Sequence, residues 1–293
     1  MIKMNVLPVR TFNRLKVNET LIDYEPSEPK IYEISGSSKL ELKESGDVGV
    51  NIKVADDNSI TVVMLCECAG NATIHVETEI SMGKGAELTL IQADMGKGGG
   101  RLINSVRCSE DKDASVQLIQ LFPARGDVYN DCNIGLNGNR SRLDIQVAYM
   151  GNREKKLDMN YVVNHIGKNT TGNIRADGVL KDKAFKTFKG TIDFKTGSSG
   201  SKGEEREKVL LLSDDIVNQS VPIILCTEED VEGAHGAAIG SLDEDTLFYL
   251  KSRGLDEDEA KRLVIYGMFN SLLEKIGDED ISSRVEGFLE EAV

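Results

Sequence analysis

The sequence predicts a mainly β chain with a small α-helical domain at its C-terminal end. Short runs of alternating apolar and polar residues recur from about Val48 to Phe194, a pattern typical of half-buried strands. From Ser241 onward the apolar residues recur at helical spacing instead. The composition agrees with a solenoid or another β-rich fold, because the 293 residues include no Trp, only 5% aromatic residues and 28 glycines.

The alternating runs are separated by turn sequences rich in Gly and Asn, which adopt positive φ at little cost. We predict strands at residues 48–54, 60–66, 72–80, 86–92, 114–122, 142–149 and 156–163. Their spacing suits sandwiches, barrels and β-helices alike, so the pattern alone leaves these three architectures open. The Gly- and Ser-rich segment 195–206 is predicted to be a mobile loop inserted between two strands.

The C-terminal tail predicts three helices. Ser241 and Glu244 suggest a capping box for the first helix, which Gly254 ends. Asp256 precedes a second helix that closes at Gly277, and residues 281–292 suggest a last amphipathic helix. From Ser241 the tail carries 14 acidic and 6 basic side chains, so it should present a negative surface.

Charge and hydropathy exclude several classes of function. The net charge of -14 argues against binding to nucleic acid, which requires clustered Lys and Arg. No apolar run approaches the ~20 residues that span a bilayer, and the N-terminal residues lack a secretory apolar region. We therefore expect a soluble, cytoplasmic protein with no membrane partner.

Five cysteines form an odd set without a C-x-x-C pair, which predicts free thiols rather than disulfides or a structural zinc site. Cys66 and Cys68 lie two apart on a predicted strand and so share one face, where core packing is favoured over metal binding. His75 is predicted to be an exposed polar-face residue. His165 is predicted to form a structural corner.

Two stretches carry a resemblance to a known family. One contains Asp230–Val231, the His-Gly-Ala of 235–237, Gly240, the Leu-Phe-Tyr-Leu of 247–250 and the Ser-Arg-Gly of 252–254. The other contains the His-Ile-Gly-Lys-Asn-Thr of 165–170 and the Phe-Lys-Gly of 188–190. In order and spacing they resemble the SufB/SufD family, the scaffold subunits of the SUF iron–sulfur cluster assembly machine.

The resemblance implies a right-handed parallel β-helix core followed by a small helical domain. We divide the chain into an N-terminal segment at 1–45, the β-helix core at 46–240 and the helical domain at 241–293. The chain resembles a short form that lacks the N-terminal helical domain of longer members.

The resemblance also implies a site around His235, which lies between the small residues Ala234 and Gly236. A turn histidine bonded to backbone is the alternative. Cys226 and Glu232 are candidate ligands near it, and Cys132 is a more distant candidate. Cys226 could equally be a small buried residue, and Glu232 a solvated acid. The sulfur-accepting cysteine of SufB-type sequences is missing at its usual place.

The family's partners are implied in the same way. The helical tail should dock a SufC-type ATPase, through a face that contains Leu247, Phe248, Tyr249, Arg253 and Gly254. A solvated acidic bundle is the alternative. The resemblance further implies a transient iron–sulfur cluster, a cysteine desulfurase as sulfur donor, and a homodimer or a heterodimer with a paralogous scaffold.

The resulting interpretation is a non-enzymatic scaffold that holds a nascent cluster at a protomer interface. A SufD-like accessory subunit that never carries cluster is the alternative within the family. A β-helix carbohydrate-active enzyme with paired carboxylates is the alternative from another class. No G-x-S-x-G, HExxH or GxxxxGK[ST] occurs, so hydrolase, zinc-protease and direct ATP-binding functions lack their central motifs.

Overall fold

The computed structural model describes residues 1–10, 13–68, 70–123 and 126–292. The part of the chain so described forms eighteen strands and three helices. The strands are β1 (Ile2–Met4), β2 (Thr20–Ile22), β3 (Lys30–Ile34), β4 (Ser38–Leu42), β5 (Gly46–Val54), β6 (Ser59–Cys66), β7 (Thr73–Met82), β8 (Glu87–Asp94), β9 (Arg101–Glu110), β10 (Ser115–Phe122), β11 (Asp127–Leu136), β12 (Arg142–Gly151), β13 (Lys156–His165), β14 (Thr171–Leu180), β15 (Phe185–Phe194), β16 (Ser201–Leu211), β17 (Val217–Cys226) and β18 (Val231–Gly240). The helices are α1 (Glu244–Ser252), α2 (Glu257–Ile276) and α3 (Glu279–Ala292).

The strands from β3 to β18 wind into a parallel solenoid. The odd-numbered strands from β3 to β17 form one eight-stranded sheet, and the even-numbered strands from β4 to β18 form the other. We call these the odd sheet and the even sheet. Every ladder in both sheets is parallel and in continuous register between the described strands, so each coil stacks on the previous one. The predicted mainly β, parallel β-helical class with C-terminal helices is confirmed.

The apolar interior lies between the two sheets. Inward-facing side chains stack in rows along the solenoid, as in Val62, Leu90, Leu118 and Ile145 of the even sheet. Parallel strands covered on both faces read as nearly continuous apolar runs, which explains segments such as 116–122. On the outer face of the even sheet, Leu65, Ile119 and Met150 pack against helices α2 and α3.

The N-terminal residues cover the outer face of the odd sheet. Strands β1 and β2 pair antiparallel. Met4 and Ile22 pack on Ile103, and Leu7 and Val17 pack on Val221 of the last odd strand. We call the described N-terminal residues 1–10 and 13–24 the N-terminal strap. The strap covers the outer side of the odd sheet, and helices α2 and α3 cover the outer side of the even sheet.

Stacked turns hold the coils in register. Asp57, Asp113, Arg140 and Asn169 adopt positive φ at equivalent corners. Their backbone N–H groups donate to carbonyls of the following turn, for example Arg140 N to Lys168 O at 2.8 Å. The cost of left-handed backbone at these non-glycine residues is offset by this ladder between turns.

Several sequence predictions need correction. The segment 195–206 is not one long loop, because β16 begins at Ser201 and continues the even sheet. Strands β9, β11 and β14 were not predicted, since Asn, Asp and Gly interrupt their alternation. The first helix is capped by Asp243 rather than by Ser241. The second helix does begin after Asp256, in a capping box with Glu259, and ends at Gly277 in a left-handed conformation.

Candidate functional site

The last coil leaves one end of the solenoid open. Register places the side chains of alternate residues on the inner side of this coil, above the apolar interior. We call this set the mouth; it comprises Asn218, Ser220, Pro222, Ile224 and Cys226 of β17 with Gly233, His235, Ala237 and Ile239 of β18. No further coil among the described residues covers it, and the outer edges of β17 and β18 have no strand partner.

His235 lies at the centre of β18 and is exposed. Its neighbours in register are Glu205 on β16 and, one strand further, the core residue Ile174 on β14. The imidazole therefore projects toward the inner side of the coil. Small residues on both sides leave it accessible to a ligand or to another chain.

Cys226 ends β17 and is the exposed cysteine of the five. Its register partner Phe194 belongs to the inner row that also contains His165 and Leu136, so the thiol also lies on the mouth side. The Sγ atom donates a hydrogen bond to the carbonyl oxygen of Glu228 at 2.9 Å. The turn at 227–230 connects the two mouth strands, so Cys226 and His235 belong to one coil.

Gly233 lies on the same face of β18 as His235 and packs closely against Phe194 and Ile224. A Cβ atom at this position would lie 3.0 Å from Cε2 of Phe194 and 3.4 Å from Cγ2 of Ile224. A larger residue two positions before the histidine would therefore force Phe194 to move. This close approach gives a physical reason for Gly at 233.

Ionisable groups lie buried directly beneath the mouth. The Lys186 ammonium donates to Glu207 Oε1 and to Ser220 Oγ, and Tyr149 OH also donates to Glu207 Oε1 at 3.1 Å. Burial lowers the pKa of Lys186, although the Glu207 carboxylate opposes that shift. Glu205 lies beside this cluster, and burial followed by repulsion from Glu207 raises its pKa to about 7.

Two predicted ligands lie elsewhere. Glu232 is exposed, and register places it on the opposite face of β18 from His235; its carboxylate pairs with Lys202 Nζ at 2.9 Å. Cys132 is fully buried, three odd strands from β17, in a polar cluster with Gln120 and Asn130. Burial raises the pKa of Cys132 to about 12. Neither side chain shares the mouth with His235.

The other Cys and His predictions have mixed outcomes. Cys66 and Cys68 are buried core residues, as predicted, and burial raises the pKa of Cys66 and of Cys68. His75 is not exposed but buried, because the N-terminal strap covers it; its Nδ1 lies 2.6 Å from Asp47 Oδ1. His165 is a buried corner residue that contacts Thr170 Oγ1 at 2.7 Å and stacks on Phe194.

Helix α1 carries the residues predicted to contact an ATPase. No residue of α1 is buried, and Phe248 is 75% exposed. The Arg253 guanidinium lies over the Tyr249 ring at 5.2 Å, and Gly254 ends the helix at positive φ, as predicted. Leu247 lines an open groove of about 540 Å³ with Leu212, Ile216 and Leu242, among others. Asp214, Glu257 and Lys261 also line this groove, so the exposed side of α1 combines aromatic, aliphatic and charged residues.

Sequence reasoning missed Glu205, Asn218 and the Lys186–Glu207 pair. The alternation of Glu205 and Glu207 was visible, but only the register shows which face of the strand they share with His235.

Among the residues described, no three His, Cys, Asp or Glu side chains are grouped closely enough to hold a metal ion. Within the same part of the chain, no helix has both the length and the apolar character that crossing a bilayer demands.

Comparison with known proteins agrees with this architecture. Residues 47–268 match the family described as SUF system FeS cluster assembly, SufBD core domain. The iron-sulfur cluster assembly protein SufD of Bacillus subtilis is 28% identical over 260 residues, covering 86% of this chain and 60% of that protein. An iron-sulfur cluster assembly SufBD family protein of Mycobacterium leprae is 25% identical over 187 residues, covering 61% of this chain and 48% of that protein.

This chain thus spans three fifths or less of the length of these two relatives. The family match nevertheless covers most of the solenoid together with α1 and part of α2. The match contains the residues that form the mouth and the exposed face of α1. The chain therefore belongs to the SufBD core-domain family of the SUF iron–sulfur cluster assembly system.

Proposed function

We propose that the protein acts in SUF iron–sulfur cluster assembly as a scaffold that holds a nascent cluster between two protomers. The observation that carries this proposal is the open mouth, where one exposed imidazole and one exposed thiol belong to the same uncovered coil. Imidazole nitrogen and thiolate sulfur are both good iron ligands. Two ligands from one chain do not complete the coordination of a cluster, so in this proposal a second protomer supplies the remaining ligands.

The edges of β17 and β18 support such pairing. Each edge presents a row of unpaired backbone donors and acceptors, and Glu232 is the single charged residue of the two strands. Ile224 and Ile239 are exposed large apolar residues on the mouth side. Long edges with so little charge are templates for pairing with another chain. The partner in the proposal is a second copy of this chain or a paralogous scaffold.

Helix α1 supports docking of a SufC-type ATPase. Phe248 and Tyr249 form an exposed aromatic pair next to the groove that Leu247 lines, and aromatic side chains are enriched at the centres of interfaces. Movement of a docked ATPase would be transmitted to the mouth through the short connection 241–243 between β18 and α1. In this proposal the partner, and not this chain, binds and hydrolyses ATP, and a cysteine desulfurase system supplies sulfur.

A SufD-like accessory role is the second candidate. It is favoured by the likeness to a protein named SufD. In that role the chain would organise the complex, and the cluster ligands would come mainly from its partner.

Anaerobic copurification with the ATPase, followed by reconstitution with iron and sulfide, tests the proposal. A scaffold gives a stable complex with visible absorbance that falls in His235→Ala and in Cys226→Ser. Cys132→Ser is the matched control, because its thiol is enclosed, and it should keep the absorbance. A stable complex without absorbance in any variant would support the accessory role. Failure to bind the ATPase would overturn the docking proposal.

A further inference from the structure

Glu205 lies directly beneath His235 in the same inner row. Successive members of this row are Ile145, Ile174, Glu205 and His235, on four neighbouring even strands. Neighbouring parallel strands are about 4.8 Å apart, so side chains at the same register position on one face come within reach of each other. The row is apolar in the interior and becomes ionisable only at its last two positions.

A glycine on the opposite sheet makes room for the Glu205 side chain. A Cβ atom at Gly190 would lie 2.8 Å from Cγ and 3.3 Å from Cδ of Glu205. The side chain therefore crosses the interior of the coil and lies against β15. Its carboxyl group forms part of the floor of the mouth, with 3% of the residue exposed.

The Glu205 carboxylate has no partner of its own. The neighbouring cation, Lys186, bonds with Glu207, and Ser220 and Tyr149 complete the bonds of that carboxylate. Glu205 makes no hydrogen bond or ion pair with any residue that the structure describes. A buried carboxylate without a partner is costly unless it is protonated or bound to a cation.

A buried amide oxygen without a hydrogen-bond partner lies in the last coil, one coil above Glu205. Asn218 faces the mouth, one strand above Lys186 in the odd sheet, and its buried Oδ1 has no hydrogen-bond partner. The mouth therefore contains an amide oxygen and an imidazole nitrogen, and its floor contains the Glu205 carboxylate. The carboxylate and the imidazole can act as ligands of a positive ion, whereas Asn218 lies four residues along β17 from Pro222, the register partner of Gly190. The positive charge of Lys186 is already paired with Glu207.

We propose that Glu205 is an oxygen ligand which, with the His235 imidazole, binds a divalent cation of the ferrous class at the mouth. This inference rests on the proposed function and deepens it, because it assigns the iron side of cluster assembly to these two residues. Nitrogen and carboxylate ligands suit Fe²⁺ before sulfide arrives, whereas thiolate ligands suit the finished cluster. The remaining coordination positions belong to water or to the second protomer.

Ferrous ion binding by the full chain, measured anaerobically by titration calorimetry without sulfide, tests this assignment. Glu205→Gln retains the shape of the side chain and removes its charge, and it should weaken binding by a factor of ten or more. Glu204→Gln is the matched control, since Glu204 is the preceding residue but faces outward and pairs with Arg206. It should bind ferrous ion as the wild type does.

A second variant tests the geometry without changing any charge. Gly190→Ala places a methyl group against Glu205 Cγ and should also weaken ferrous binding, while Gly36→Ala, at a glycine with open space, should not. Circular dichroism and thermal unfolding confirm that each variant folds. Wild-type affinity in Glu205→Gln would overturn the inference.

The outcomes also separate this inference from the proposed function. If His235→Ala loses ferrous binding while Glu205→Gln retains it, the mouth remains a cluster site and Glu205 has only a structural role. If the wild type binds no ferrous ion, the inference falls. Cluster reconstitution with sulfide and the ATPase then still decides the scaffold proposal by itself.

Discussion

The two ends of the solenoid are built differently. At the first coil, the short strands β3 and β4 carry charged residues along their edges, including Lys30, Glu33, Lys39 and Glu41. Large side chains such as Ile34 and Leu42 close the interior there. At the last coil the strands have ten residues each and one charge between them, and their inward-facing residues, including Ile224 and Ile239, remain exposed or half-buried.

This difference indicates that the first coil is protected against pairing with another chain and that the last coil is not. Charged side chains and short strands are the usual protection of an exposed sheet edge against pairing. The first coil has both protections and a filled interior. The last coil lacks both and lies directly above the buried ionisable residues Lys186, Glu205 and Glu207. The contrast supports an interface at the last coil, and four experiments test or sharpen it.

Truncation of inward-facing residues at the two ends should give the largest difference. Leu42 is 3% exposed in the first coil, and Leu42→Ala should lower the free energy of unfolding by about 2–5 kcal/mol through lost burial and a cavity. Ile239 is 43% exposed in the last coil, and Ile239→Ala should cost less than about 1 kcal/mol in the isolated chain. Denaturant unfolding measures both; equal losses would mean that the two ends are equally closed.

Charge introduced at each end should affect association differently. Ile224→Lys at the last coil should weaken pairing by about 100-fold, equivalent to about 2.7 kcal/mol, because an unpaired charge would be desolvated in the interface. Ile31→Lys, at an exposed residue of the first coil, is the control and should leave pairing unchanged. Analytical ultracentrifugation reports the outcome. A loss of pairing in Ile31→Lys alone would place the interface at the first coil.

The buried His165, on β13 two odd strands from β17, should make the free energy of unfolding depend on pH. Burial lowers the pKa of His165 to about 4, whereas the unfolded chain binds that proton near pH 6.5. Its contribution to stability is therefore complete above pH 6.5 and falls by about 3 kcal/mol as the pH drops to 4. His165→Gln lacks this titration, so the stability difference between wild type and variant should shrink over that range.

Unfolding of both proteins at pH 4.5, 5.5, 6.5 and 8 measures this difference directly. Glu205 and Asp94, whose pKa values burial raises to about 7 and about 6, contribute with the opposite sign in both proteins. Their effects therefore cancel in the comparison. A constant difference between wild type and variant across this range would show that His165 is not held neutral.

The smallest effect concerns the helical domain. Phe248 is exposed, so Phe248→Ala should leave the free energy of unfolding within about 0.5 kcal/mol of wild type. It should weaken binding to a SufC-type ATPase by about tenfold, equivalent to ~1.4 kcal/mol, as expected for an aromatic residue central to an interface. Leu263→Ala, at another exposed apolar residue, is the control. Unchanged ATPase affinity in Phe248→Ala would place the docking surface elsewhere.

The difference between predicted and observed structure is greatest where polar residues face inward. Alternation revealed β5 to β8 and β10 to within a few residues, because their inward positions are apolar. It failed for β9, β11 and β14, where inward positions include Asn104, Asn130 and Gly172. Asn104 and Asn130 bond to each other and to glutamines across the interior, so they satisfy their polar groups only in the folded coil.

The sequence by itself determined a mainly β chain, its helical tail and the family resemblance. These depend on local patterns: alternation within a strand, capping residues and the spacing of short motifs. The sequence also singled out His235 but placed it in a turn, whereas the histidine lies within the strand β18. Only the tertiary structure decided that Cys226 belongs to the same open coil as His235, that Cys132 is enclosed and that Glu205 lies beneath the imidazole. Residues 30 positions apart meet when coils stack, and parallel register, which no local pattern specifies, decides which side chains share a row.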